Sequence, residues 1–543
     1  FHRTKIAHPI FVAMRFLINA IGYLFVAIFV ILGALLLSVP IGHTGDGWGY
    51  AADIIQADSW HSPELVSSHH LFYNYLCYAL KPIFIFSKIN PINGFTAMNW
   101  MFYGLTIFVF YKVILALKYN QNQCIYWTLL IAGCFGLLRF SFENETYILP
   151  LFFALLGSHF ITYFKNSKSH EYLGFSLLAI SVLFHQSYIF WFLAFVVSGI
   201  YRRRFMAIFI SAFMIVFFYI LFAIKSNQSI SSFILHDVDA GLVQVIPNIN
   251  NLKFTLINGF RTIFQVHGNM LILIGNWTVL SLFGIGGALL FFYGLGISLK
   301  KQMRRFASKI KQLASLSYLS NRAKNPFFIA FFLQLAFAIY SVGNAEFMVM
   351  LPILFILSFH DKVIPIFTHI HQMALGLWMY NGIFFIVPTF MGSFDDVGLT
   401  SKMLSKERPT KPFVFISTQA IAIQNQMVYE DAAQKLNPRS QDNKTTADII
   451  NNLSDGQFII GQNPNEILRI QDALNEENIE VYTDNSIIFN KMGGGSRAAL
   501  LIDPNLKSEL SNRTWQTVKE DSFSSPPRKI QLFRMVRRVY ISH

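Results

Sequence analysis

Long apolar runs separated by short polar stretches cover the chain from Phe11 to about Met391. Many of these runs approach the roughly twenty residues that an α-helix needs to cross a bilayer. After Ser401 the long runs stop, and short strand-like runs alternate with helical stretches. This pattern predicts a polytopic helical membrane protein over residues 1–400, followed by a soluble α/β domain over residues 401–543.

Basic residues between the runs predict the orientation of the helices. The triplet at residues 202–204 and the stretch Lys300–Lys324 favour cytoplasmic loops. Both fall inside if Ser67–Phe86, which contains several Tyr residues and Asn74, lies along the outer surface as an interfacial helix. The sequence then predicts about eleven spans, a cytoplasmic N-terminus and an external C-terminal domain. The predicted spans are Ile10–Val39, Phe95–Leu117, Ile125–Leu138, Tyr147–Phe164, Tyr172–Leu183, Tyr188–Ile200, Phe205–Ile224, Met270–Leu299, Phe327–Tyr340, Phe347–Phe359 and Ile364–Thr389, with a long external loop at Lys225–Val266.

Composition and charge agree with this class. Hydrophobic residues make up 54% of the chain and charged residues 13%, about half the usual charged share. The net charge is +14, but the basic residues cluster between apolar runs, which suits a membrane protein better than a nucleic-acid partner. The three cysteines lie in or beside membrane segments, so the soluble region has neither a disulfide framework nor a thiolate zinc site.

The stretch Gly42–Asp53 follows directly on the first apolar run, which we interpret as a retained anchor. Asp46 is therefore expected where the chain leaves the membrane, a depth at which a carboxylate is costly and usually functional. Neighbouring glycines allow the backbone to approach a ligand closely. A short helix would carry Tyr50 and Asp53 on the same face as Asp46. Asp53 also suits a second interpretation, in which it only caps or solvates the next helix.

Polar side chains at the outer ends of other predicted helices complete the candidate site. Their shared side of the membrane favours a common site over separate polar loops. These residues are His69, His70, Arg139, Glu143, Glu145, His185, Gln186, Arg261, His267 and Glu346. Glu143 and Glu145 beside Arg139 also suit a local ion pair, and His185 also suits a satisfied buried histidine. Adjacent histidines point in different directions, so His69 and His70 do not predict a shared metal ion.

These features together resemble the multi-spanning C-type glycosyltransferases, in particular the protein mannosyltransferase and aminoarabinose transferase group. The stretch Asp46-Gly47-Trp48-Gly49-Tyr50 matches the acids of the family's first external loop and the Tyr shortly after them. Residues 69–73 stand where the family often has a Pro-Pro-Leu-Tyr-Tyr-like segment, but the prolines are missing. Glu143 or Glu145 matches a second acid. The late family motif is matched only loosely, by Glu346-Phe347 and Leu351-Pro352, and its Arg is absent.

The resemblance covers roughly residues 10–400 and implies an inverting transfer of sugar from a polyprenyl-phosphate donor to an extracytoplasmic glycan, lipid or protein. In this scheme Asp46 takes the proton of the acceptor hydroxyl. Arg139, Arg261 and His267, with His185 also available, hold the donor phosphate, and the remaining candidates bind substrate. The sequence establishes no cofactor and leaves a divalent cation, Mg²⁺ or Mn²⁺, open. The expected location is a bacterial inner membrane, with the endoplasmic reticulum membrane as the alternative.

Two other classes of protein fit much of the same pattern. A transporter or flippase for lipid-linked glycans would share the spans and the phosphate-binding cations. It would not need an acid in a glycine-rich external loop, and the chain lacks the internal repeat that transporters often show. A polymerase or ligase of lipid-linked glycans is separated poorly from a transferase by sequence. Convergence of the loops carrying Asp46, Glu143 and His185 on one cavity would favour the enzyme.

Overall fold

The computed structural model describes most of the chain up to residue 390 and shorter stretches beyond it. The described residues are 27–39, 41–164, 167–234, 249–266, 278–313, 325–341, 343–390, 413–417, 420–436, 458–459, 464–475, 480–484, 515–524 and 534–542.

Apolar runs in the first 390 residues form helices whose bounds lie close to the predicted ones in most cases, because these sequences contain few helix-breaking residues. The helices are α1 (Ala27–Ser38), α2 (Gly45–Gln56), α3 (Tyr73–Phe86), α4 (Pro91–Ala116), α5 (Gln121–Ala132), α6 (Phe135–Phe142), α7 (Ile148–Tyr163), α8 (Lys168–Phe184), α9 (Ile189–Tyr201), α10 (Phe205–Lys225), α11 (Ile230–Ile234), α12 (Ile249–Ile263), α13 (Thr278–Leu313), α14 (Pro326–Tyr340), α15 (Leu351–Val363) and α16 (Ile370–Asn381). Short 3₁₀ turns at Pro63–Leu65, Gln186–Tyr188 and Ala345–Met348 connect some of them, and α16 continues through a π-helical turn, Gly382–Ile386, to Phe390.

Four of the described helical stretches are long and apolar enough to cross a membrane, namely α4, α10, Val279–Lys300 within α13, and Ile370–Phe390. The bent pair α5 and α6 makes a fifth if it counts as one span. Shorter apolar helices are α1, α7, α14 and the stretch Gln186–Tyr201. These helices identify a multi-pass membrane protein. Helix length alone does not establish eleven spans, so that number stays a prediction.

The predicted single helix Ile125–Leu138 is in fact α5 and α6, which meet at an angle of 60°. Backbone carbonyls near this break accept hydrogen bonds from side chains of other helices, and Tyr103 of α4 donates its hydroxyl to the carbonyl of Ala132 at 2.7 Å. Trp378 donates its indole N–H to the carbonyl of Leu129 at 2.8 Å, and Asn381 donates to the carbonyl of Gly133 at 2.7 Å. A bend inside an apolar run is tolerated when a neighbouring helix supplies such partners, and the partners lie too far along the sequence to be recognised from the run itself.

The stretch Lys225–Val266, predicted as a long external loop between two spans, contains the helices α11 and α12, and its external location stays a prediction. Helix α12 turns its polar residues, such as Asn251, Thr255 and Thr262, inward. Its outward face carries apolar side chains that include Leu252, Leu256, Ile257 and Phe260. The amphipathic pattern is present in the sequence, but the polar side packs on the protein and not in water.

Helix α3 covers the second half of the segment predicted to lie on the membrane surface. It is not among the apolar helices that suit a span, and its interfacial position stays a prediction. It supports α2, because the ammonium group of Lys81 donates to the carbonyls of Ile54, Ile55 and Ala57 at 3.2, 3.1 and 2.8 Å. These carbonyls end α2, where a cation interacts favourably with the helix dipole.

The strands beyond residue 412 form one five-stranded mixed sheet with the order β2-β1-β3-β5-β4. The strands are β1 (Phe413–Ile416), β2 (Phe458–Ile459), β3 (Glu480–Asp484), β4 (Trp515–Ser524) and β5 (Arg534–Ser542), and the helices between them are α17 (Ala420–Leu436) and α18 (Pro464–Asn475). β1 pairs in parallel with β2 and β3, whereas β5 pairs antiparallel with β3 and β4. Among the strand-like runs of the sequence, Ser486–Phe489 and Ala499–Ile502 are also predicted to form strands, and they lie outside the described residues. The external location of this region stays a prediction.

Candidate active site

Helix α2 begins at a capped turn that presents Asp46. The hydroxyl of Thr44 accepts the backbone N–H of Gly47 at 3.1 Å, which is the usual N-cap bond. The same hydroxyl donates to the carboxyl group of Glu145. Asp46 lies in the first turn and is exposed, whereas Glu145 is 1% exposed. The positive end of the helix dipole favours the ionised form of an acid in the position of Asp46.

The loop between α6 and α7 is tied to the start of α2 by side-chain amides. Asn144 donates its amide to the carbonyl of Gly47 at 2.6 Å and accepts the hydroxyl of Tyr73 at 2.7 Å. Asn99 of α4 donates to the backbone carbonyls of Glu143 and Glu145 at 2.8 and 2.7 Å. These bonds fix the backbone of Glu143 and Glu145 relative to the turn that carries Asp46. A Cβ on Gly47 would lie 2.9 Å from the carbonyl oxygen of Asn144, so the contact requires a glycine here.

Four acids lie close enough to influence each other. Burial raises the pKa of Glu145 well above its ordinary value, and the charges of Asp46, Glu346 and Glu143 raise it further. This favours the neutral form of Glu145 beside an exposed Asp46. Glu346 accepts the hydroxyl of Tyr147 at 2.9 Å and the side-chain amide of Asn344 at 3.1 Å.

Aromatic rings and histidines line the neighbourhood of these acids. The hydroxyl of Tyr50 is 2.9 Å from Nε2 of His70. The ring of His185 lies 4.6 Å from that of His70 and 4.5 Å from that of Tyr147, centroid to centroid. On the far side of His70, Nδ1 of His69 is 2.7 Å from the side-chain oxygen of Gln186. The site residues predicted on α2, in the segment before α3 and in the α8–α9 turn thus lie close together.

His185 carries a buried hydrogen-bond donor. Its Nδ1 accepts the backbone N–H of Ser187 at 3.1 Å, which assigns the ring proton to Nε2. Burial, and then the charge of His69, lowers the pKa of His185 to about 3, so the ring is neutral. Within the described residues Nε2 is buried and has no hydrogen-bond partner. Nδ1 of His185 is thus satisfied, as expected of a core histidine, whereas its Nε2–H is a donor suited to a ligand.

Two guanidinium groups lie at the edge of the acidic cluster. Nε of Arg139 is 2.9 Å from a carboxylate oxygen of Glu143, so the local ion pair considered from the sequence exists for Glu143. Arg261 of α12 donates from Nη1 to Asn258 at 3.0 Å, and its buried Nε has no partner among the residues described. Burial, and then the charge of Arg139, lowers the pKa of Arg261 to about 10. Two neighbouring cations with an unused donor are suited to an anion such as phosphate.

Two predicted site residues remain, Asp53 and His267. Asp53 lies two turns beyond Asp46 along α2, and its charged neighbour is Glu64. His267 lies outside the described residues. The roles assigned to all of these side chains remain predictions.

Several site residues were missed by the sequence reasoning, namely Thr44, Asn99 and Asn144. All three are neutral, and they act through hydrogen bonds to atoms distant in sequence. Thr44 had a usable signal, because a Thr just before a short helix is a typical N-cap.

No group of three or more His, Cys, Asp or Glu side chains suited to a metal ion occurs in the part of the chain that is described. Asp46 and Glu145 are electrostatic neighbours at the site. Two carboxylates form a sparse ligand set for Mg²⁺, which also keeps waters and substrate oxygens. A divalent cation at the site stays a prediction.

The chain resembles solved structures of membrane glycosyltransferases. Two crystal structures of ArnT from Cupriavidus metallidurans, one bound to undecaprenyl phosphate and one in the apo state, match at 10% and 9% identity with a TM-score of 0.45. Each match covers 96% of this chain and 98% of the other. The Archaeoglobus fulgidus oligosaccharyltransferase, tethered to an acceptor peptide containing the NVT sequon, matches at 13% identity with a TM-score of 0.42, over 93% of this chain and 73% of the other.

The similarity to these structures agrees with the resemblance noted from the sequence. No protein-family model matches the chain, and no curated protein sequence does.

Proposed function

We propose that the protein is an integral-membrane glycosyltransferase that moves a sugar from a polyprenyl-phosphate donor to an extracytoplasmic acceptor. One observation carries the proposal: Arg139 and Arg261, with a buried donor left over on Arg261, lie beside a cluster of acids that includes the exposed Asp46. The guanidinium groups of Arg139 and Arg261 are suited to binding a phosphate, and the carboxylate of Asp46 is suited to accepting a proton. Apolar helices surround this cluster, and a lipid-linked substrate would reach it from the bilayer.

The reaction we propose is a single displacement. The acceptor hydroxyl oxygen attacks the anomeric carbon, and the bond from that carbon to the phosphate oxygen breaks. The acceptor proton goes to the carboxylate of Asp46, which acts as general base. Polyprenyl phosphate leaves with its negative charge, which Arg139, Arg261 and the Nε2–H of His185 stabilise. Attack opposite to the leaving group inverts the anomeric configuration.

The substrate contacts follow from the same arrangement. Tyr50 with His70 and His69 with Gln186 form two hydrogen-bonded pairs beside His185, and rings of this kind suit stacking on a sugar. Glu143 and Glu346 are engaged by Arg139 and Tyr147, and we assign them to shaping the site. The acceptor is a glycan, lipid or protein. We propose about eleven spans in a bacterial inner membrane, with the site and the C-terminal region external.

A transporter or flippase remains the alternative from another class, and a polymerase or ligase of lipid-linked glycans is the alternative within the enzymes. Binding of a lipid phosphate alone does not distinguish them. The clamped acid at the start of α2 favours the transferase, because transport needs no base.

Purified protein in lipid nanodiscs can be incubated with a panel of radiolabelled polyprenyl-phosphate sugars, with Asp46→Asn as the matched control and with EDTA in parallel samples. Consumption of one donor by the wild type and not by the variant would support the proposal, and its loss with EDTA would reveal the cation. If no donor is consumed although one crosses the bilayer of protein-containing vesicles, the transporter is correct.

A further inference from the structure

Helix α17 of the C-terminal region packs directly along α2, the helix that carries Asp46. Trp48 and Ile55 of α2 share a buried cluster with Ile423, Met427 and Tyr429. The rings of Trp48 and Tyr429 lie 5.4 Å apart. Much of the apolar face of α2 is thus covered by residues that come almost four hundred positions later in the chain.

The closest contact of the two helices is made by a side-chain amide. Asn425 donates from Nδ2 to the backbone carbonyl of Gly45 at 2.9 Å. A Cβ on Gly49 would lie 2.9 Å from the same nitrogen, and a Cβ on Gly45 would lie 3.3 Å from that of Ala422. Two glycines one turn apart therefore permit the approach of α17.

A second amide holds the opposite side of the same turn. Asn144 donates to the carbonyl of Gly47 at 2.6 Å. Asp46 lies between Gly45 and Gly47, and the carbonyl of each accepts a hydrogen bond from an asparagine. Asn144 belongs to the membrane region and Asn425 to the C-terminal region. Glycine costs a helix about 1 kcal/mol relative to Ala at each interior position. A turn with three glycines consequently depends on such tertiary contacts to stay ordered.

We propose that Asn425 is a positioning residue for Asp46, and that the active site is complete only while α17 is docked on α2. This inference rests on the proposed function, because it gives Asp46 the role of base. The C-terminal region then acts on the chemical step and not on the donor, whose proposed phosphate contacts come from α6, α12 and the α8–α9 turn.

The test uses the full-length protein in nanodiscs and the variants Asn425→Ala, Gly49→Ala and their combination. Asn425→Asp keeps the size of the side chain and replaces the N–H donor by an oxygen. Ile421→Ala is the control, since Ile421 lies on the same helix and is exposed. Single-turnover transfer rate, affinity for the radiolabelled donor, and hydrogen exchange of the amides of residues 45–50 are measured for each protein.

Asn425→Ala and Asn425→Asp should slow transfer about ten- to a hundred-fold, the loss typical of a misplaced catalytic group. Donor affinity should stay within about two-fold, and the amides should exchange faster. Gly49→Ala alone should also slow transfer, because its Cβ meets the amide. The double variant should be faster than the product of the two single effects predicts, because Asn425→Ala vacates the space that the new Cβ needs.

Wild-type rates and exchange in both Asn425 variants would overturn the inference, as would strict multiplication of the two single effects in the double variant. Asp46→Asn is measured alongside to separate the two ideas. If Asp46→Asn transfers normally, the assigned base is wrong. If it is inactive while the Asn425 variants behave like wild type, the base stands and only the positioning role fails.

Discussion

Asp46 owes its position to uncharged neighbours. Thr44 caps the helix that carries Asp46, and Asn144 donates a hydrogen bond to the carbonyl of Gly47, the residue after Asp46. Each forms a hydrogen bond whose loss would leave a backbone group without its partner, at a cost of about 1–3 kcal/mol where that group is buried. The chemistry of the site at the scale of single residues therefore depends on polar side chains that do not react.

Replacing Arg261 tests the proposed phosphate site. Arg261→Ala removes a half-buried cation with an unused donor, and a hydrogen bond to a charged group contributes about 1.5–3 kcal/mol. Affinity for a polyprenyl phosphate should fall about ten- to a hundred-fold, measured by microscale thermophoresis. Lys253→Ala, an exposed cation on the same helix, should change the affinity little. Equal effects of the two variants would contradict a specific role for Arg261.

Asp53 should make stability depend on pH. Burial, and then the charge of Glu64, raises the pKa of Asp53 to about 7 in the folded protein. An unfolded Asp loses its proton near pH 4, so the folded state is penalised progressively as the pH rises from about 4 to 7. Asp53→Asn should raise the Tm in detergent at pH 8 and much less at pH 4.5. The exposed Asp58→Asn is the control, and an identical gain at both pH values for Asp53→Asn would refute the argument.

Charged and aromatic members of the site were predictable from the sequence, because an ionisable residue at the end of an apolar run is conspicuous. Asp46, Glu145, His185 and Arg261 were all proposed in this way, and the structure brings them into one neighbourhood, while their roles stay predictions. Asn99 and Asn144 were not found. An asparagine near a helix end is common, and only the fold reveals that its partner is a carbonyl from a remote segment.

Elements in the membrane region pack through glycines. Gly157 of α7 and Gly174 of α8 face each other, since a Cβ on Gly157 would lie 2.6 Å from the carbonyl oxygen of Gly174. Gly287 of α13 similarly faces Gly376 of α16. Small residues at such crossings let helix backbones approach closely, and this contact replaces the hydrophobic effect as the source of association in lipid.

Gly287→Ala should destabilise the pair formed by α13 and α16. The new Cβ would lie 2.7 Å from the carbonyl oxygen of Gly376, and backbone cannot give way as a side chain does. Overpacking of this kind costs about 1–3 kcal/mol, which should appear as a lower Tm in detergent. Gly286→Ala is a matched control on the same helix, because its Cβ would meet nothing within 4 Å. A Tm as low in the control as in Gly287→Ala would exclude the proposed clash.

Helices were predicted well as elements, but their interruptions and environments were not. The apolar run at residues 121–142 gave no sign of a 60° bend, since Tyr103, Trp378 and Asn381, which bond carbonyls near the break, lie on other helices. The stretch Lys225–Val266 was predicted as an external loop, and the sequence did not indicate that α12 within it packs its polar residues on the protein. Neither feature can be recognised from a segment without the surface that it packs against.

At the scale of the whole molecule, the membrane region and the C-terminal region meet at α2. The sequence predicts an α/β module without catalytic residues that serves as a cover or an acceptor platform and is not needed for donor binding, since the region holds no recognisable catalytic motif. The buried contacts of α17 with Trp48 and Ala51 give it a structural part in the site. Neither α2 nor α17 has a local sequence pattern that reveals this dependence of the site on the C-terminal region.

Topology at this scale is tested by reporters. The positive-inside pattern predicts that the C-terminal region lies outside, and its contact with α2 requires residues 45–56 to lie on that same side. A reporter fused after His543 that is active only outside the cytoplasm should therefore be active, and one inserted after residue 202 should not. A reporter that works at His543 only in the cytoplasm would contradict the topology of both segments.

The central claim is that Asp46 removes the acceptor proton, and Asp46→Asn tests it most directly. Asn keeps the size and hydrogen bonding of Asp but does not take up the proton. The single-turnover transfer rate should fall about a hundred- to ten-thousand-fold, while affinity for the donor stays near the wild-type value. Glu143→Gln, which removes an acid engaged by Arg139, should cost less. An Asp46→Asn protein that transfers sugar at nearly the wild-type rate would contradict the account.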